Sequence, residues 1–439
     1  MIAKAMIFAT SALLTMPVVR LWNFNFGVGD MFLCATLGIL ALSGRLRGLR
    51  TVRNERRWFV SGFLLLVGFI LSDLVNGGQA DTKGLFTLAQ YAAVIILIPF
   101  LYLGAPHSKA AVFGYLAGII ANVVVATLAW NYGWLVPGTI AGRYSGLFGN
   151  PNALAKNLAV PAILFLDLGI RSRNVPRWIA YGGVLMCGLG GILAASFGGI
   201  LAISIGVVAY LALIGKRGVL YGFGLLALLA YLLFATEILS GFSEKLDERI
   251  ENARLYSSVR ELGSFERKIG LMHESILTIL SNPIVGRGLQ SYEGDVDSEY
   301  EWNVVHNWEL IVYETGGILS FVGALGMLLY LLVSVRSRAF LCRPETRAVA
   351  YASMAVFFLN AQTNTHMFPR FWWIAPFLVL RMVKDEAMRS RIPREGSRRS
   401  SVNGRDIDSR SRNTADPHTR ETATRRCPAR SRRQIRYDG

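Results

Sequence analysis

Three short segments of this chain carry side chains whose types and spacing could handle phosphate and protons. The first is Arg143-Tyr144-Ser145-Gly146-Leu147-Phe148-Gly149-Asn150-Pro151-Asn152. Asn150-Pro151 favours a turn, and Asn152 can cap the next helix while its first N–H groups face outward. A helix start beside an arginine is a natural phosphate site; the plainer reading is a loop-to-helix turn with Arg143 reaching lipid headgroups. The second segment holds Arg267-Lys268, His273-Glu274 and Asn282-Pro283-Ile284-Val285-Gly286-Arg287-Gly288. Its first half has the spacing of an amphipathic helix that ends at Asn282-Pro283. The G-x-G that follows permits a tight backbone, but no strand precedes it, so it is not a nucleotide fingerprint. The third is Val304-Val305-His306-Asn307-Trp308-Glu309, with Glu314 about two turns further on. Histidine is the side chain best matched to proton transfer near neutral pH, although a histidine between Trp302 and Trp308 at a membrane interface needs no chemistry. An acid such as Glu314 inside an apolar stretch is costly and marks a candidate functional residue, unless it pairs with an arginine.

The elements that must position these residues are apolar helices. The chain has 439 residues, 53% hydrophobic and only 17% charged, against roughly 25% charged in soluble domains. Its apolar runs approach the roughly 20 residues that cross a bilayer as a helix, and only helices or closed barrels satisfy the backbone there. The runs are too long for barrel strands. The pattern predicts an all-α, polytopic membrane helical bundle of about twelve spans, at 5–20, 26–43, 58–76, 85–104, 110–136, 152–170, 178–195, 197–214, 218–236, 308–335, 347–366 and 371–384. The first run resembles a signal peptide but lacks a small-residue cleavage site, so it is read as an uncleaved helix.

Charge supports that count. The net charge is +17. Loop 44–57 carries Arg45, Arg47, Arg50, Arg53, Arg56 and Arg57; loop 171–177 carries Arg171, Arg173 and Arg177; Lys216-Arg217 form a turn; loop 336–347 carries Arg336, Arg338, Arg343 and Arg347. Threaded through twelve spans, all four fall on one side, which is the cytoplasmic side with both termini. Nucleic acid is excluded as a partner, because no folded module or aromatic interleaving accompanies the charge. Anionic lipid at the basic loops and tail is the expected counterpart. The tail 385–439, rich in Arg and Ser, cannot bury a core and is expected to be disordered; residues 1–384 form the bundle. The long segment 237–307 falls on the other side, acidic on balance, with amphipathic helices expected at the membrane surface over 244–281. Asp295-Val296-Asp297 has the D-x-D spacing of metal-dependent enzymes that use cytoplasmic nucleotide-linked donors, but it lies on the wrong side and reads as an acidic turn. Cys34, Cys187, Cys342 and Cys427 are scattered, without a C-x-x-C pair or a disulfide framework, so no metal and no cofactor is expected.

Together these segments resemble the O-antigen ligase and polymerase superfamily. Arg143–Asn152 is similar to its R-x-S-G-x-F-x-N-P-N element. Arg267 with Asn282–Gly288, His306-Asn307 and Glu314-Thr315-Gly316 is similar to its C-terminal signature of an arginine-led helix, a P-x-x-G-x-G turn, H-N and E-x-G. The likeness covers about 130–335. It implies a GT-C-like bundle that uses an undecaprenyl-pyrophosphate-linked glycan donor and a glycan or lipid A–core acceptor on the outer face of a bacterial inner membrane. Arg143 and Arg267 would then bind the donor pyrophosphate and His306 would act on the acceptor hydroxyl, with Asn150, Asn152, Arg287, Asn307 and Glu314 in support and no metal needed. A transporter or flippase of lipid-linked oligosaccharide is the alternative. One departure stands out: relatives carry an S-R-G/S element where this chain has Ser196-Phe197-Gly198-Gly199, so either another residue compensates for that arginine or this branch handles its donor differently.

Overall fold

The computed structural model describes residues 1–17, 27–46, 48–78, 82–133, 143–172, 174–215, 224, 264–289, 307–363 and 369–391, with the backbone alone for 48, 49, 82, 83, 197 and 264–269. Every element among them is helical: α1 (Ile2–Leu13), α2 (Val28–Leu42), α3 (Gly48–Asn54), α4 (Arg56–Val75), α5 (Thr82–Pro99), a π turn (Phe100–Gly104), α6 (Ser108–Tyr132), a short 3-10 turn (Gly146–Phe148), α7 (Pro151–Asn157), α8 (Ala159–Arg171), α9 (Arg177–Leu193), α10 (Phe197–Leu213), α11 (Ser264–Ser281), α12 (Trp308–Ala339), α13 (Pro344–Thr363) and α14 (Phe371–Arg391). Among the described residues five stretches are long and apolar enough to cross a membrane: Arg56–Val75, Gly84–Gly104, Ser108–Tyr132, Pro151–Arg171 and Trp308–Ala339. Shorter apolar helices accompany them at Ile2–Leu13, Val28–Leu42, Arg177–Leu193 and Gly198–Leu213. This is the build of an all-α membrane protein.

A helix stands at each expected stretch except 218–236, of which only residue 224 is described; 244–263, Asp295–Asp297, Lys216-Arg217 and the tail beyond 391 lie outside the described residues. The helices differ from the expected spans in four places. The first ends by Leu13, short of residue 20. Helix α3 occupies the basic loop 44–57. The stretch 152–170 is interrupted at Leu158, because Pro161 has no N–H for the Asn157 carbonyl and its ring crowds that carbonyl. Helix α14 runs to Arg391, so the first residues assigned to the tail are helical.

Helices α4 and α12 run antiparallel and share the most extensive interface among the described elements. Small residues make the contact close. A side chain at Gly68 would meet the Ser320 backbone nitrogen at 2.4 Å, and one at Gly323 would meet that of Leu65 at 2.3 Å. The Ser320 hydroxyl donates to the Leu65 carbonyl at 2.9 Å. Lipid offers apolar surface no worse than a neighbouring helix does, so close approach and hydrogen bonding must hold such pairs. The same device joins α1 to α6, where Gly114 faces the Phe8 carbonyl. Aromatic packing fills the centre: Trp58 meets Trp373 and Phe377 edge-on at 5.5 and 4.8 Å, and its indole N–H reaches the Ile95 carbonyl at 2.9 Å.

Candidate functional site

The Arg143–Asn152 segment is pinned from several sides. Asn122, buried on α6, donates from Nδ2 to the Thr15 and Gly118 carbonyls and accepts the Leu147 N–H at 2.9 Å. Gly146 lies in the left-handed region, and any side chain there would meet the Asn122 carbonyl oxygen at 2.5 Å. Phe148 packs edge-on against Phe371 at 5.1 Å. These anchors hold Arg143, half-buried, against the end of α9: its Nε donates to the Ala194 carbonyl at 3.0 Å and its Nη2 to Asn152 Oδ1 at 2.6 Å. The cap of α7 is Asn150, not Asn152. Its side-chain oxygen accepts the N–H groups of Asn152 and Ala153 at 2.8 and 3.2 Å. Pro151 at the first helical position decides this, since it lacks the N–H that position would leave unpaired. The N–H groups of Asn152 and Ala153 are therefore occupied rather than facing outward, and Asn152 instead orients the arginine.

One turn past Asn152 is a residue that the motif does not include. Lys156 is buried, and its ammonium donates to the Thr363 carbonyl at the end of α13. Its Cε lies 3.7 Å from where a side chain at Gly198 would begin. Gly199 touches Ala155 so closely that a Cβ on it would come within 2.2 Å of that side chain. The start of α10, where the arginine of the resembling family is missing, therefore adjoins a lysine from α7. A lone cation in an apolar run was the available signal.

The second segment is a backbone device. Helix α12 breaks at Gly317, whose φ 67 and ψ −167 are open essentially to glycine alone. The break frees two carbonyls and one N–H, and the turn 282–288 takes them up. Arg287 N–H donates to the Glu314 carbonyl at 2.8 Å, Gly288 N–H to the Thr315 carbonyl at 3.0 Å, and Ile318 N–H to the Ile284 carbonyl at 3.2 Å. Ser72 of α4 adds a hydroxyl to the Thr315 carbonyl at 2.6 Å, and Asn76 donates to the Gly286 carbonyl at 3.1 Å. A Cβ at Gly286 would lie 2.6 Å from the Gly317 nitrogen, so both glycines are required by contact. The P-x-x-G-x-G turn is thus a plug for a broken helix. Glu314 accepts from the Ser275 hydroxyl at 2.8 Å and faces Arg287 at 3.8 Å, half of whose side chain is exposed. The acid is therefore paired.

The third segment starts α12. Asn307 caps it by accepting the Leu310 N–H at 3.0 Å, and its Nδ2 donates to Gln362 Oε1 at 2.8 Å. Gln362 Nε2 donates in turn to Glu309 Oε1 at 2.8 Å. Trp308 locks the start of the helix through its indole N–H on the Tyr91 hydroxyl, also at 2.8 Å. His306, the residue before the cap, lies outside the described residues. So does the side chain of Arg267, whose backbone belongs to α11 two turns before Ser275.

Arg143, Asn150 and Asn152 are thus brought together. Lys156, one turn further along α7, bonds the Thr363 carbonyl at the end of α13, where Gln362 meets Asn307 at the start of α12. Arg287 and Glu314 form a separate cluster, linked to Asn307 along two turns of α12. Lys156, Asn122 and Gln362 are polar members of this assembly that sequence motifs did not single out, and Glu309, at the end of the third segment, was given no role there. No protein-family model matches the chain, and no curated protein matches it either.

Proposed function

We propose that the chain is a membrane glycosyltransferase that moves a glycan from undecaprenyl pyrophosphate to an acceptor hydroxyl, in the manner of an O-antigen ligase or a polysaccharide polymerase. The observation that carries this reading is that α7 presents Asn152, which holds Arg143, and one turn on Lys156, which bonds the Thr363 carbonyl next to the Gln362–Asn307 pair. It gathers an oriented guanidinium and a buried ammonium toward the helix start that follows His306. A guanidinium fork and an ammonium suit the charge that grows on a departing pyrophosphate. That leaving group is good enough to go without a metal. His306 takes the proton from the attacking hydroxyl or positions it, Arg267 shares the pyrophosphate with Arg143, and Lys156 stands for the missing arginine of the S-R-G/S element. On this reading the bundle has twelve spans and a GT-C-like form, sits in a bacterial inner membrane with both termini in the cytoplasm, and works at the outer face. The acceptor is a growing glycan or lipid A–core.

A flippase of lipid-linked oligosaccharide is the second reading, and the break in α12 favours it, since transporters bind substrate at discontinuous helices. Here the freed backbone groups are occupied by the turn 282–288, which leaves Glu314 and Thr315 carbonyls engaged rather than open to cargo. The test is complementation of a strain lacking the protein, with surface glycan resolved by size. Wild type is compared with Arg143→Ala, Arg267→Ala and His306→Ala at equal membrane expression. Loss of product supports the enzyme: single repeat units on the acceptor indicate a lost polymerase, and free lipid-linked polymer with a bare acceptor indicates a lost ligase. Normal glycan from all three variants overturns the enzyme reading.

A further inference from the structure

The far end of the α4–α12 pair holds a second site. A cavity of about 850 Å³ opens between α3, the start of α4 and the last turns of α12. This lies within the roughly 300–1,000 Å³ of small-ligand sites. Arg53, Arg56, Arg57 and Arg338 line it, and no acidic residue among the described ones does. Among the described residues no carboxylate makes a salt bridge with any of the four. Glu55 lies nearby but is buried and already bonded to Lys384 and the Tyr330 hydroxyl. It does not offset the arginines. The wall running from them toward the middle of the bundle is apolar and open: Val60, Leu329 and Val333 are each about half exposed, at 48%, 48% and 51%. Its floor closes where Gly326 meets Ser61.

We infer that this groove binds an anionic phospholipid, with the phosphate among the four guanidinia and an acyl chain along Val60, Leu329 and Val333. Charge and shape both point there. Guanidinia without a carboxylate partner at one end call for phosphate oxygens, which they bind as planar forks. The exposed apolar strip continuing from them suits a hydrocarbon chain, which a free anion lacks. Helix α4 has 20 residues, a length of about 30 Å, so the groove lies a bilayer's thickness from the Asn307 end and at a lipid headgroup level. Basic pockets between membrane helices recognise anionic headgroups in this way. The inference does not depend on glycan transfer.

The test uses full-length protein in mild detergent, titrated with phosphatidylglycerol and with phosphatidylcholine of identical chains, each with a fluorophore on the tail. Phosphatidylglycerol is expected to bind about tenfold tighter or more, because the choline ammonium of phosphatidylcholine offsets its phosphate while phosphatidylglycerol keeps a net negative charge among the arginines. Arg56→Gln/Arg57→Gln/Arg338→Gln should bring the two lipids within about twofold of each other, while Arg45→Gln/Arg50→Gln, outside the cavity, should leave the preference intact. Equal affinities in the wild-type protein overturn the inference without any variant. So does a preference that survives the triple substitution or is lost equally in the control. Displacement of the lipid by millimolar inorganic phosphate would make this a free-anion site and would also overturn it.

Discussion

The two ends of the α4–α12 pair are held by opposite means. At the Asn307 end α12 is broken, and backbone groups from the turn 282–288, earlier in sequence, repair it. At the Arg338 end the helix is continuous, and side chains hold it: buried Glu55, the residue before α4, accepts from Tyr330 of α12 and from the mostly buried Lys384 of α14. Backbone repair leaves no latitude in conformation but places no charge in the core. A buried ion pair tolerates backbone variation but fails when one partner is removed. The end proposed to do chemistry is the one whose backbone is fixed.

The largest effect should come from Gly317→Ala. The left-handed backbone and the Ile284 carbonyl oxygen 2.2 Å from the new Cβ leave no room, so strain and clash should cost at least about 3 kcal/mol. Gly326→Ala at the other end keeps an ordinary helical backbone and meets the Ser61 side chain, Oγ at 2.4 Å and Cβ at 3.0 Å, so it should cost less. Thermal unfolding of both variants in detergent checks the difference; equal losses would mean that the break is not what fixes the Asn307 end.

Next comes the ion pair itself. Glu55→Gln or Lys384→Met alone should destabilise by about 3–5 kcal/mol, by leaving one buried charge without its partner, and the double substitution by clearly less than the two single losses added. Additive losses would show that the two charges do not act as a pair. The proposed glycan transfer should survive in whatever fraction stays folded, because these residues lie at the opposite end of the α4–α12 pair from Asn307.

Arg143→Ala should do the reverse. Stability should fall by about 1 kcal/mol for its hydrogen bonds, while transfer should drop about a hundredfold or more if the guanidinium meets developing charge. Asn152→Ala, which only releases the arginine from one bond, should cost about tenfold. A membrane assay with lipid-linked donor measures both; an Asn152 loss larger than that of Arg143 would sink the positioning role.

Which parts of this contrast were legible in sequence follows from the distance over which each interaction acts. The helices follow from runs of apolar residues, and the break at Leu158 from Pro161 three residues on. The choice of Asn150 over Asn152 as cap was also local, since Pro151 marks the first helical position, although either asparagine satisfies the capping rule. The Gly286–Gly317 contact was not legible, because each glycine reads as an ordinary turn or helix residue until the other is placed against it. Gln362 likewise gains meaning only from Asn307, which precedes it by 55 positions. Lys156 was visible as a lone cation in an apolar stretch but lay outside the motif.

The smallest effect, and the sharpest, concerns that glutamine. Its amide has one accepting and one donating end, and the relay uses both: Asn307 donates to its oxygen and its nitrogen donates to Glu309. Asn307→Asp keeps the cap on the Leu310 N–H but removes the donor, so Gln362 then faces two carboxylates with a single NH2 group. Stability should fall by about 1 kcal/mol, the cost of losing a part-buried hydrogen bond. Adding Glu309→Gln reverses the polarity of the whole line: Gln362 turns its amide over, donates to the carboxylate introduced at the cap and accepts from the amide introduced two residues later. Most of the lost stability should return, read as recovery of the melting temperature. Stability in the double variant no better than in Asn307→Asp alone would show that the relay does not hold the start of α12. The close positioning assigned to the Asn307 end would then rest on the plug at Gly317 alone.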